Sequence, residues 1–287
     1  ERTISDVVSR AGVAAADVAG ICISGLYGGS GVACDERLEV VRPCIIWMDR
    51  RASEESRWAS TQVGLDRLYA VTGNGADPYF GFTKILWIKR HEPENWQRIR
   101  LFLPPNAYVV YRLTGEVAID YSSAANIGGV FDLERRTWAS ELMEEMGIPV
   151  ELMPERLVSS SDVVGRLTAE AATRVGLLAG TPVCAGGVDC VVATLSAGVL
   201  ETGQHVAVIG TSVNWGVVHE GFPKNRTLVT MPYVKEPLEK CYSYGGASTA
   251  GALPRWFRDN FAEREKEAES ATGQSSYAAL DVAAARI

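Results

Sequence analysis

The sequence predicts an α/β protein with a mixed sheet and two domains in succession. Three observations carry that expectation. The chain opens on an amphipathic helix that feeds a buried strand and a glycine-rich loop. Short apolar runs, stopped by glycine or proline, then alternate with helical stretches to about Val175. From Thr181 onward short strands alternate with glycine turns, which places a boundary near Gly186 between a first domain, 1–185, and a second, 186–287.

Taken in order, "ERTISDVVSRAG" reads as an amphipathic helix closed near Gly12, and Gly20 to Ser24 as a buried strand running into "GLYGG". A second strand is expected at Gly31 to Cys34 and a third in "CIIWMD", ending at Asp49. "RRASEESRWA" is helical by its charges and alanines. "VTGNGADPYF" is loop by its Gly, Asn, Asp and Pro, and the following residues form a helix with Ile85, Leu86 and Ile88 near one face. "RLFLPP" gives a strand with a proline stop, then a helix from Asn106 closed by Gly115. Glu134 to Val175 reads as helix-rich, broken by "SSSD", and "VCAGGVD" as a small-residue turn leading into a buried helix. Strands are expected at Val206 to Ile209, Leu228 to Met231 and Lys240 to Tyr244, and the tail from Leu253 is helical with a break at Gly273 to Ser276. No repeat or low-complexity tract appears.

Composition excludes several classes. With 287 residues, 47% hydrophobic and 22% charged, the chain has ample material for a core. A net charge of -7 with mixed signs argues against a general nucleic-acid binder. No apolar run reaches the ~18 residues a bilayer span needs, and the opening segment is charged, unlike a signal peptide. The six cysteines lie apart in mostly apolar runs, without a CxxC pair or a nearby histidine, so reduced cytosolic thiols are expected and zinc is not.

Motif tests for a P-loop, HExxH and GxSxG fail, and "GGSGVA" lacks the third glycine of a dinucleotide loop. What remains is a series of polar residues at strand ends: Ser24 to Ser30, Trp47 to Arg51, Asp77 to Lys84, Asp189, and "IGTS" at 209–212. Two glycine-rich turns, at Gly210 and at "GGASTAG" ending in Gly251, offer backbone N–H groups near helix starts, which suits phosphate oxygens. Asp189 stands in an apolar run without a neighbouring cation, and helix N-cap and catalytic base are both open to it.

In their order, "VAGICISGLYGG", "RPCIIWMDRRASEE", "DPYFGFTKILWIKRHEPE", "LPPNAYVVYRLTGEVAIDYSSAAN", "GTPVCAGGVDCVVATLSAGV", "IGTSVNW" and "AGALPRWFRD" resemble the FGGY family of carbohydrate kinases. The resemblance implies a ribonuclease H-like fold of the actin, hexokinase and Hsp70-type ATPases, with two lobes and an interdomain cleft. It also implies that the matching part is the middle of a longer enzyme, with a phosphate loop before Glu1 and the family signature after Ile287.

By the same resemblance, Asp189 is the general base for a sugar hydroxyl attacking the γ-phosphoryl group of ATP. Tyr27 and Gly28 occupy the sugar loop but carry neither the Met-His pair of xylulose kinases nor the Arg-Glu pair of glycerol kinases. Trp47, Asp49 and Arg50 are matched to the Trp-x-Asp-x-Arg stretch at the cleft, and Tyr79 to a tyrosine lining the polyol site. Cys190 replaces an Asn or Gln that would bond a sugar hydroxyl, which makes that corner less polar. Gly210, Thr211, Gly251 and Arg255 match nucleotide-site positions, although Arg255 also reads as a solvated helix cation, and Lys84 as a loop anchor. ATP and Mg²⁺ are the implied cofactors. The implied partner is a small sugar or polyol, with neither nucleic acid nor membrane, and a homodimer is compatible. The alternative function is a sugar-binding relative that kept the fold and lost turnover.

Overall fold

The computed structural model describes residues 2–26, 29–223, 225–247 and 249–286. These divide into two compact units, the first made of 1–204 and 217–243 and the second of 205–216 and 244–287. Gly186 lies within the first unit.

In the first unit α1 (Arg2–Ala11) leads to β1 (Ile21–Gly25), then β2 (Val32–Cys34) and β3 (Val40–Arg42). Here the structure departs from expectation. "CIIWMD" is not a strand, because Pro43 cannot donate to a ladder and the chain turns at Trp47–Met48. Next come α2 (Ser53–Trp58), a wide turn to α3 (Leu65–Thr72), α4 (Gly81–His91), α5 (Pro93–Arg98), β4 (Leu101–Leu103) and α6 (Pro105–Thr114). Gly115, at φ 78°, caps α6 as its position in the sequence requires.

β5 (Ile119–Asp120), α7 (Tyr121–Asn126), β6 (Phe131–Asp132), β7 (Thr137–Trp138), α8 (Ser140–Met146), β8 (Leu157–Val158), β9 (Val163–Arg166) and α9 (Ala169–Val175) follow. The helix-rich expectation for 134–175 holds for α8 and α9, at seven residues each, and for a short helical turn at Val150–Leu152; loop and short strands fill the rest. β10 (Pro182–Val188) and α10 (Asp189–Ser196) close this run.

The expected turn at "VCAGGVD" is instead β10, seven residues long and the middle strand of the sheet β1–β10–β9. β1 runs parallel to it and β9 antiparallel. Glycine is there for close passage, since a Cβ on Gly186, whose φ is 75°, would lie 1.8 Å from the Ile23 carbonyl oxygen. Ile21 and Ile23 pack on a buried cluster that includes Val183, Ala185, Val110, Leu113, Ala171, Ala172 and Val175. α6 and α9 thus cover one face of the sheet with apolar side chains, of which Val110, Leu113 and Val175 are each worth about 1.5–3 kcal/mol when fully buried.

β11 (His205–Ile209) belongs to the second unit, whereas β13 (Val229–Pro232) belongs to the first. The chain passes between units within β12 (Val213–Glu220) and again within β14 (Lys240–Ala247). The second unit ends in α11 (Ala252–Phe261), α12 (Glu263–Thr272) and α13 (Ser276–Ala284), which bear out the helical tail.

Candidate active site

In open α/β sheets, functional groups gather beyond the carboxyl ends of parallel strands. β1 and β10 supply that edge, with Gly25 beside Val188 in register. The loop that begins at Leu26 and the helix that begins at Asp189 therefore leave the sheet as neighbours. Tyr27 and Gly28, expected in the sugar site, lie outside the described residues; Leu26 and Gly29 flank them.

Two further loops converge on Gly29 through bare backbone. A Cβ on Gly29 would sit 2.5 Å from the Ile45 carbonyl oxygen, and one on Gly81 would sit 2.3 Å from the Gly29 carbonyl oxygen. Only glycine permits both approaches. Ser30 fastens the contact, its N–H donating to the Ile45 carbonyl at 2.9 Å and its Oγ accepting from the Ile45 N–H at 3.2 Å. The loops carrying Trp47 and Tyr79 are thereby tied to the loop after β1. Leu26, Cys44, Ile46, Pro105 and Ile127 line a narrow, mainly apolar pocket among them.

The expected sugar residues sit on these loops as follows. Trp47 is exposed in the turn. Arg50 forms a forked pair with Asp77 at 2.6 and 3.1 Å, and Asp77 also accepts from the Tyr79 N–H at 2.7 Å. Arg50 and Tyr79 are therefore joined through one carboxylate. Asp49 is engaged by Arg51, at 2.9 Å from both its N–H and its Nε. That bonding holds the Asp49 carboxyl below the ordinary range. Arg51 stacks over Trp87 at 4.9 Å. It is Arg51, not Arg50, that stands two residues after Asp49, and the Trp-x-Asp-x-Arg spacing alone could have identified it.

Beneath this loop Lys84 is wholly buried. Its Nζ donates to the carbonyls of Pro78 and Tyr79, the latter at 2.9 Å, so the anchoring role expected for it is what the geometry supports. Burial pulls its ammonium down to about 8.

Asp189 occupies the first position of α10 rather than the cap, which is Val188. Its Oδ1 accepts from the Cys190 N–H at 2.6 Å. The carboxyl is exposed to solvent, yet surrounding protein mass raises its pKa above the ordinary value, with the Cys190 N–H partly opposing the shift. A raised carboxylate at a strand end can accept a proton more readily than a free one. The Cys190 thiol is pushed up to about 12, by burial first and Asp189 second, so it stays protonated.

The expected nucleotide residues belong to the second unit. The turns at 210–212 and 249–251 are bonded together, the Ala250 N–H to the Thr211 carbonyl at 2.8 Å and the Gly251 N–H to the Gly210 carbonyl at 2.9 Å. A Cβ on Gly251 would lie 2.2 Å from that Gly210 oxygen. Gly210, Thr211 and Gly251 thus form one exposed glycine ledge at the start of α11. Arg255, on α11, is exposed and lies 3.7 Å from Asp259 one turn on, the geometry of a solvated helix pair.

Among the described residues no group of three or more His, Cys, Asp and Glu side chains could hold a metal ion, and no helix is long and apolar enough to cross a membrane.

Comparison with known proteins identifies the frame. Residues 1–196 match the model of the FGGY family of carbohydrate kinases, N-terminal domain. The xylulose kinase of Bacillus subtilis (strain 168) is 32% identical over 265 residues, which are 91% of this chain and 52% of that protein. The xylulose kinase of Escherichia coli (strain K12) is 34% identical over 206 residues, 72% of this chain and 41% of that one. Among solved structures, xylulose kinase from Rhodospirillum rubrum superposes with a TM-score of 0.86 at 27% identity, over 99% of this chain and 56% of that one. The chain spans about half the length of the curated relatives it matches.

Proposed function

Because the chain belongs to the FGGY family of carbohydrate kinases, we propose that it serves the ATP-dependent phosphorylation of a sugar or polyol hydroxyl, with Asp189 as general base. Its fold is that of the actin and hexokinase-type ATPases. The observation that carries the reading is Asp189 itself. A carboxyl with a raised pKa begins α10 at the carboxyl end of the central strand, next to the loop after β1.

In this reading the sugar sits against the loops of Trp47, Asp49, Arg50 and Tyr79. Asp189 takes the hydroxyl proton as the oxygen attacks the γ-phosphorus and the bond to the β-phosphate oxygen breaks, releasing ADP. Phosphoryl transfer demands mainly positioning and charge neutralisation, so one base is the chief chemical group asked of the protein. The Gly210 and Gly251 N–H groups already donate to the Ser212 and Gly210 carbonyls, so the phosphates would meet this ledge at the Thr211 N–H and hydroxyl, and Mg²⁺, when bound with the nucleotide, would supply charge neutralisation. Arg255 is the weakest member of the nucleotide set because it is a solvated helix cation, 3.7 Å from an Asp259 that Arg258 holds more closely. Xylulose is the first candidate substrate, from the names of several relatives. Cys190 beside the base favours a substrate with one hydroxyl fewer or differently placed at that corner. We place the enzyme in the cytoplasm, where its six free thiols stay reduced.

The test is ADP release by the full-length protein with ATP, Mg²⁺ and a panel of ketoses, aldonates and polyols. Stimulation by at least one of them supports the reading. A flat response at the ATPase background for all of them favours a non-catalytic sugar binder instead.

A further inference from the structure

Directly behind Asp189 lies a buried polar chain that the proposed reaction does not use. Asp120, Ser122, Ser123 and Asn106 are each almost wholly inaccessible. Asp120 ends β5 and accepts from three neutral donors: the Ser122 hydroxyl, the Ser123 N–H at 3.0 Å and the Asn106 amide at 2.9 Å. The Ser122 oxygen in turn accepts from the N–H of Val188 at 3.1 Å, the residue immediately before Asp189.

Packing leaves this chain little freedom. A Cβ on Gly25 would lie 2.6 Å from the Asn106 Cβ, and one on Gly187 would lie 3.1 Å from the Ser122 oxygen. The sheet end thus lies directly on the network. A carboxylate buried among neutral groups carries a desolvation penalty that an apolar side chain would avoid, and burial does push the Asp120 carboxyl up. Capping α7 accounts for only one of its bonds, to the Ser123 N–H. An Asn would cap as well. The link through Ser122 to the Val188 peptide remains, and its reach ends at the residue that carries the proposed base.

We propose that Asp120, acting through Ser122 on the Val188 N–H, is a positioning residue that sets the direction in which Asp189 leaves the sheet. This rests on the general-base reading of Asp189. The Ser122 hydroxyl must give its proton to Asp120 to leave its lone pair facing Val188, so the carboxylate fixes the hydroxyl's orientation and the hydroxyl fixes the peptide.

The experiment compares Ser122→Ala, Asp120→Ala and the exchange Asn106→Asp/Asp120→Asn in the full-length protein. Two readouts are taken: kcat and KM for D-xylulose with ATP and Mg²⁺, and amide hydrogen exchange over residues 186–192. Ser122→Ala keeps the α7 cap and cuts only the link. The expected result is a ~10-fold fall in kcat with KM within about twofold, because small misplacement of a reacting group lowers rate more than affinity. Exchange should quicken at 188–191 and nowhere else. Asp120→Ala removes the oxygen that takes the Ser122 proton and should match that loss. The exchange of the pair restores one donor and one acceptor and should recover at least half of it. A kcat within about twofold of the native value in Ser122→Ala, or no recovery in the exchanged pair, would overturn the proposal. Should the unaltered protein leave D-xylulose unphosphorylated, the kinetic arm moves to the sugar that the panel identifies, and if none is phosphorylated the general-base reading falls on its own. The exchange readout then decides alone: unchanged protection at 188–191 in Ser122→Ala overturns the positioning role, and a local loss upholds it.

Discussion

Lys84 offers a quantity that can be worked from the structure. Its ammonium is buried, donates to the carbonyls of Pro78 and Tyr79, and has its pKa drawn from 10.5 to about 8, by burial first. Asp49 and Asp77 oppose that shift, while Arg50 adds to it. Such a shift corresponds to about 3 kcal/mol of penalty on the charged form. Below pH 8 the lysine is charged both folded and unfolded, and the penalty is fully present. As pH rises from about 8 toward 10.5 the folded protein loses the proton while the unfolded chain keeps it, so stability rises with pH in that window. Lys84→Met removes the charge but leaves two carbonyls without their donor, at a cost of roughly 1–3 kcal/mol each. At neutral pH the two effects offset each other to within a few kcal/mol, and the absolute difference decides little. The slope decides. Urea unfolding of both proteins should show the native form gaining about 1 kcal/mol on the variant between about pH 7 and about pH 9. A difference that stays flat or falls over that interval would refute the assignment of a buried ammonium to this loop.

Gly186→Ala should fail to give a stable fold, or lose more than about 4 kcal/mol, because its Cβ meets the Ile23 carbonyl at 1.8 Å and its φ is 75°. Gly210→Ala, whose Cβ meets nothing within 4 Å, should stay within about 1 kcal/mol; thermal unfolding separates the two. Cys190→Asn puts a hydrogen-bonding amide beside Asp189 and should lower KM for a fully hydroxylated ketose by ~5-fold. An unchanged KM would remove residue 190 from the sugar site.

Local signals read well and non-local ones did not. Gly115 closing α6, the buried face of α4 and the helices after Leu253 follow from capping and periodicity, which neighbouring residues determine. β10 was hidden because Gly186 and Gly187 look like a turn. What requires them lies elsewhere in the chain: β1, some 160 residues earlier by the register of Ile21 with Val183, passes against Gly186, and Val234 and Ser122 pack against Gly187. "CIIWMD" has the composition of a strand, yet Pro43 and the Gly29–Ile45 contact commit it to a loop. In the candidate site, Asp189 and the glycine turns stood out by chemical type in apolar surroundings. Asp120 in "AIDYSSAAN" reads as an ordinary helix cap shortly before two serines; only the fold brings Val188 to Ser122. Arg51 was legible from its spacing to Asp49.

The most direct measurement is turnover and sugar affinity of the Asp189→Asn full-length protein, side by side with the native one, on whichever sugar the panel identifies. An amide cannot take the hydroxyl proton but fills the same space. General-base catalysis therefore predicts a fall in kcat of ~10² or more with the sugar Kd within about threefold. A variant that phosphorylates the sugar at the native rate would contradict the role of Asp189 on which the rest depends.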